Sequence, residues 1–198
     1  MQKFFLGAVL ILVVGGGAYL VFSKAFAPQS STTSPLASDW RTYDGGTWTI
    51  QYPKSLTPVN KTANHPSLPT LISFEGLKNG DFIGVHPDTL TGGAIGKAIL
   101  QRDPGRSDVL STLLKIQEES GGDGIRIVSS GKINLNNLAA AQFIYTDTSD
   151  PSHPSYIIST TLNKGDDLPL ISYITTSTQP DPETQQIYNA MLLTFSFK

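Results

Sequence analysis

The longest hydrophobic feature comes first: residues 4–22, FFLGAVLILVVGGGAYLVF, are nineteen positions without a charge. At about 1.5 Å per residue a helix of that length reaches roughly 28 Å, close to the hydrocarbon thickness of a bilayer. A cleaved secretory signal has a shorter apolar core, of about 7 to 15 residues, ahead of a small-x-small site. Ala25-Phe26-Ala27 has the small residues, but a cut there would fall before the imide nitrogen of Pro28, and Lys24 flanks the run where a span ends. Residues 1–26 therefore read as a retained transmembrane anchor, with cleavage as the lesser reading. Residues 27–38, APQSSTTSPLAS, carry no charge and are rich in Ser, Thr and Pro, a composition that builds no core and serves as an extended tether.

From residue 39 onward the pattern shifts to short periods. TWTIQYP alternates, with Trp48, Ile50 and Tyr52 on one face, and Pro53 ends the ladder. Apolar runs at about 70–76 and 82–86 flank Asn79-Gly80, the pair that most readily supplies the positive φ angles of a tight hairpin. Helical spacing follows twice. Ile95, Ala98, Ile99 and Arg102 share a face after Thr91, weakened by Gly92, Gly93 and Gly96 and ended by Pro104-Gly105. Leu110, Leu113, Leu114 and Gln117 make a second stripe, with Ser107 as the expected cap and Gly121-Gly122 as the stop.

Strands at 125–135 and starting near 139, 156 and 168 dominate the second half. Phe143 beside Ile144, and Ile157 beside Ile158, put apolar groups on both faces of the same strands, which predicts cover on both sides of the sheet. A last helix opens on an Asp181 cap, Pro182 and Glu183, carries an Ile187, Ala190, Met191 stripe, and runs into Thr194–Phe197, read as a short strand with both phenylalanines on one face. This order predicts an α+β domain over residues 39–198, a largely antiparallel sheet between helical layers.

Three stretches carry a family resemblance: Tyr43 with Trp48-x-Ile50-x-Tyr52-Pro53, Gly131 inside a strand, and the closing helix that runs into Thr194-Phe195-x-Phe197. Together they resemble the PsbP-like family, best known for extrinsic subunits of the oxygen-evolving photosystem, over most of 40–198. Leu56 stands where members commonly carry an aromatic. The resemblance implies an α/β/α sandwich and a role in binding or assembly in a distant membrane-anchored relative. It implies no photosynthetic role and transfers no catalytic or metal residue.

Charge narrows the partners. The chain has 14 Lys and Arg against 16 Asp and Glu; Lys3 and Lys24 precede residue 39, so the domain carries twelve against sixteen, with both signs scattered. No basic stripe is present, so nucleic acid is not an expected partner. The positive-inside comparison sets Lys3 against Lys24 and Arg41, nearly a tie, and the tether favours the amino terminus inside and the domain outside. The expected location is the plasma membrane, single-pass, with the C-terminal domain on the extracytoplasmic side. Cysteine is absent, which excludes disulfides, thiolate metal sites and a lipid-modified cysteine.

Candidate chemistry is sparse. GGAIGKA, residues 92–98, lacks the glycine spacing and the hydroxyl of a phosphate loop, and its glycines are expected instead to let a helix start pack closely on the sheet. Of His65, His86 and His153, none has a partner at metal-site spacing. Asp147, Asp150 and His153 recur at every third residue of TDTSDPSHPS and are weak metal-ligand candidates if the loop curls, though turn formation explains them equally. Glu118 and Glu119 read as a solvated helix end. Trp40, Tyr43 and Trp48 cluster near the tether as a possible binding surface, against a core role that most such aromatics have. No cofactor is expected. The leading function is a non-catalytic, membrane-tethered module that binds another envelope protein or a small ligand; the alternative is an extracytoplasmic hydrolase whose histidine and carboxylate meet inside a pocket.

Overall fold

The Asn79-Gly80 pair turns the chain as its backbone preferences require, with φ of 60° and 73°. It joins two neighbours in a large sheet seen in a computed structural model, which describes residues 39–62 and 70–198. These residues belong to one unit, Asp39–Lys198. The anchor expected at 1–26, the tether at 27–38 and His65 lie outside the described residues. Among the described residues no helix is long and apolar enough to cross a membrane.

In chain order the elements are β1 (Trp40–Asp44), β2 (Trp48–Pro53), β3 (Thr57–Thr62), β4 (Thr70–Glu75), β5 (Phe82–His86), α1 (Ala94–Arg102) and α2 (Val109–Glu119). They continue with β6 (Ile125–Leu135), β7 (Leu138–Asp147), β8 (Ser155–Leu162), β9 (Leu170–Thr175), α3 (Pro182–Thr194) and β10 (Ser196–Phe197). Seven strands form one sheet in the order β3-β4-β5-β9-β8-β7-β6, antiparallel at every pairing. The other three form a small antiparallel sheet, β1-β2-β10.

Apolar residues on both faces of the central strands are covered on both sides. In β7, Ala140 and Ile144 join a core shared with Tyr188 and Met191 of α3 and with Trp48, Ile50 and Tyr52 of β2. The intervening Ala141 joins a separate core with Ile99 of α1 and Leu110 and Leu113 of α2. The α+β sandwich expected from the pattern is present, with one difference: the layer over the first face is α3 together with the small sheet, not helix alone. Thr194 at the end of α3 ties the two, its hydroxyl accepting from the Gln51 N–H at 2.8 Å.

β1 and β3 were not expected from the pattern. β1 buries only Trp40 and Tyr43 in part, which breaks period-two alternation, and β3 (TPVNKT) is a polar edge strand containing Pro58. The opposite edge, β6, carries a bulge: Ile127 pairs with Tyr145 and Ser129 with Ile144, so Val128 is left over, 46 % exposed.

Candidate functional site

Between the α1–α2 pair and the sheet lies an open cleft of about 410 Å³. α1, on one side of it, is seated close to the preceding chain. A Cβ at Gly96 would lie 2.3 Å from the Thr89 carbonyl oxygen and 2.5 Å from Leu90 Cα, so the helix can seat against this segment only with glycine there. The glycine-dependent close packing expected at 92–98 is present at Gly96, but against the Thr89–Leu90 backbone, which lies outside the named strands, and not against the sheet as expected. Gly93, at the N-cap of α1, faces the Asp88 carboxylate, whose pKa burial raises above the usual carboxylate range. α2 is set by Asp108, which caps it by accepting from the Ser111 N–H at 3.1 Å, one residue after the expected Ser107. Both carboxylate oxygens of Asp108 accept from Lys132 of β6, at 2.9 and 2.7 Å, which pins the start of α2 to the sheet edge.

The roof of the cleft is Ala94, Ile95 and Ala98 of α1 with Leu113, Ile116 and Gln117 of α2. Its floor is sheet: Phe143 and Tyr145 of β7, Ser159 of β8 and Leu170 of β9, with Ile125 of β6 and Ser120-Gly121 at the rim. The Phe143 and Tyr145 rings lie 5.3 Å apart at 46° and make the floor aromatic. Ser159 is 8 % exposed, and its hydroxyl has no hydrogen-bond partner among the described residues. Of the lining residues only Tyr145 titrates; burial, then the nearby Asp147 charge, raises its phenol pKa, so it is a neutral hydroxyl at physiological pH. The lining can hold and orient an apolar molecule and has no acid–base pair with which to react with one.

The residues singled out in the sequence fall elsewhere. Asp150 and His153 do meet, with Oδ2 2.9 Å from Nδ1, but on an open turn where the imidazole is 82 % exposed and lines no part of the cleft. Ser152 bonds the same carboxylate and, ahead of His153, lowers the Asp150 pKa. Asp147 is held apart by its own turn with Ser149, at 2.9 Å to the amide, and this lowers its pKa likewise. Among the described residues no three histidine or carboxylate side chains gather as a cation requires. His86 sits half-buried on β5 opposite Leu170. Glu118 and Glu119 are exposed, accepting from Ser130 and Arg102 respectively.

Trp48 is a core residue, 3 % exposed, its ring between Tyr43 at 5.7 Å and Phe195 at 5.6 Å. This corrects its place in the expected binding surface, because alternation in β2 points it inward beside Ile50 and Tyr52. Trp40 and Tyr43 are partly buried against the same core, and the Tyr43 hydroxyl donates to Asn60. The cleft itself had no motif to announce it. Its floor residues read as ordinary strand positions, and Ser159, followed by Thr160 and Thr161, did not stand out among them.

No protein-family model matches the chain, and no curated protein does. Solved structures of similar shape include cyanobacterial PsbP (CyanoP) from Synechocystis sp. PCC 6803, with a TM-score of 0.51 and 9 % identity over 86 % of this chain and 99 % of that one. They also include the Ran-binding protein Mog1p of Saccharomyces cerevisiae, with a TM-score of 0.46 and 11 % identity over 81 % of this chain and 96 % of that one. At such identities the similarity is one of fold: the domain has the PsbP-like α+β arrangement.

Proposed function

We propose that the chain is a non-catalytic binding or assembly module, tethered to the outer face of the plasma membrane by residues 1–26, whose folded domain captures its partner or ligand in the α1–α2 cleft. The observation that carries this reading is the composition of the cleft: an apolar, aromatic-floored hollow with a few neutral polar groups, the usual make-up of a recognition site. The PsbP-like fold is consistent with such a role, and the nineteen-residue apolar run supports the tether.

Filling the cleft tests the binding role. Ala98, half-buried in the roof, can be changed to Phe in the full-length protein, and material retained by wild type and variant through purification in mild detergent compared. Wild type is expected to retain a specific protein or small molecule that the Ala98→Phe variant loses at equal yield and unchanged thermal stability. Equal retention by both proteins would place binding elsewhere. The tether is tested separately: the full-length protein should stay with the membrane through an alkaline carbonate wash, and recovery of a chain beginning at Pro28 in the soluble fraction would refute it.

A further inference from the structure

We propose that the cleft is a small-molecule site, and that it takes an uncharged, ring-bearing compound which hydrogen-bonds through a hydroxyl or carbonyl to the Ser159 side chain. The proposal rests on the binding reading above and deepens it. Three observations select this occupant. The hollow, about 410 Å³, lies within the roughly 300–1,000 Å³ typical of small-molecule pockets. The floor presents the tilted faces of Phe143 and Tyr145, which favour a planar partner stacked or set edge-on. Ser159 is more than nine-tenths buried, lines the cleft, and makes no side-chain hydrogen bond among the described residues, so its donor and acceptor are left to water or to a molecule that enters.

Charge is excluded by the same lining. No Lys, Arg, His, Asp or Glu contributes to it, so an ionised ligand would lose its hydration with no counter-charge in return. Side chains of a docking protein are the rival occupant. They would have to carry a polar atom past the apolar roof of Ile95 and Ile116 to reach Ser159 at the floor, which a compact free molecule does without deforming a backbone.

The absence of cysteine allows a direct test, because one introduced thiol is the only one in the chain. Gly121 at the rim tolerates a side chain: a Cβ there meets nothing closer than the Glu118 carbonyl oxygen at 3.5 Å. The full-length Gly121→Cys protein in mild detergent is alkylated with N-ethylmaleimide in the presence of 2-naphthol, a neutral ring with one hydroxyl. A Thr42→Cys protein, exposed on β1, corrects for partitioning into detergent. Protection at residue 121 is expected to saturate with at least a tenfold slowing, against less than twofold with 2-naphthalenesulfonate, the charged analogue. Adding Ser159→Ala should raise the 2-naphthol concentration for half-protection about five- to tenfold and leave protection by naphthalene unchanged. A Gln117→Cys reporter serves if Gly121→Cys does not fold.

Absence of saturable protection, equal protection by the sulfonate, or indifference of 2-naphthol to Ser159→Ala would each overturn the proposal. If 2-naphthol fails while Ala98→Phe still strips a protein from the purified material, the cleft belongs to a partner's side chains, and the broader binding reading survives.

Discussion

Gly96 carries more of the architecture than its size suggests, since its missing Cβ is what lets α1 approach Thr89–Leu90. Alanine is the better helix former by about 1 kcal/mol, yet the atoms it would strike are backbone and cannot move aside. Gly96→Ala is therefore expected to destabilise the domain by about 1–3 kcal/mol, while Gly121→Ala, with room for a Cβ, stays near neutral; chemical denaturation of the two variants reads the difference. Tyr188 is a second such residue. Its fully buried hydroxyl donates to the Ile171 carbonyl at 3.1 Å and so accepts, at 2.8 Å, from the Thr160 hydroxyl, which itself accepts from Gln142, and burial keeps its pKa above the ordinary range. Tyr188→Phe should cost about 1–2 kcal/mol, seen as a lower denaturant midpoint with unchanged slope. Asp108 gives a pH signature. The Lys132 ammonium, then the Ser111 amide, lower its pKa to about 2 from an ordinary 3.8. A group whose pKa is depressed on folding contributes stability above its unfolded value and loses it as pH falls through the folded one. The thermal midpoint of wild type should thus exceed that of Asp108→Asn at pH 6, and the gap should close between about pH 4 and pH 2.

Among the elements, what the pattern revealed and what it concealed divide along physical lines. The β4–β5 hairpin was legible because Asn79-Gly80 has few other uses, and the last helix because Asp181, Pro182 and Glu183 are start signals independent of packing. Its buried face was less so. Apolar residues crowd 187–193, and Tyr188, Met191 and Leu192 are the ones the core buries, with Ile187 only partly covered and Leu193 at 55 % exposure; tertiary contacts chose among stripes that periodicity left equivalent. β1 and β3 were hidden because edge and half-buried strands need no alternation. The Asp181 cap does double service: its side chain accepts from the Thr184 amide at 2.8 Å, and its own N–H donates to the Tyr173 hydroxyl, which in turn donates to Asp81 at 2.8 Å. Asp181→Ala should lower the denaturant midpoint, with early loss of amide protection confined to the first turn of α3 in hydrogen exchange.

For the whole molecule, class and layering could be read from apolar residues on both strand faces, whereas the candidate site could not, since it is a gap among six elements and no single segment contains it. The cores described here close within Asp39–Lys198, so a fragment of those residues is expected to unfold in one cooperative transition, with the same midpoint by tryptophan fluorescence, which reports Trp40 and Trp48, and by circular dichroism. Two separate transitions would show that the cores on the two faces of the sheet unfold independently. The bulge on β6 has a consequence of its own at this scale. An eleven-residue strand with a free margin invites a neighbour's strand to zip alongside. The surplus Val128 breaks the rhythm of amides along that margin, so a straight newcomer finds only half of it in step. Excising that single residue would leave a continuous ledge, and the variant should creep into fibrils or higher oligomers where the parent stays dispersed.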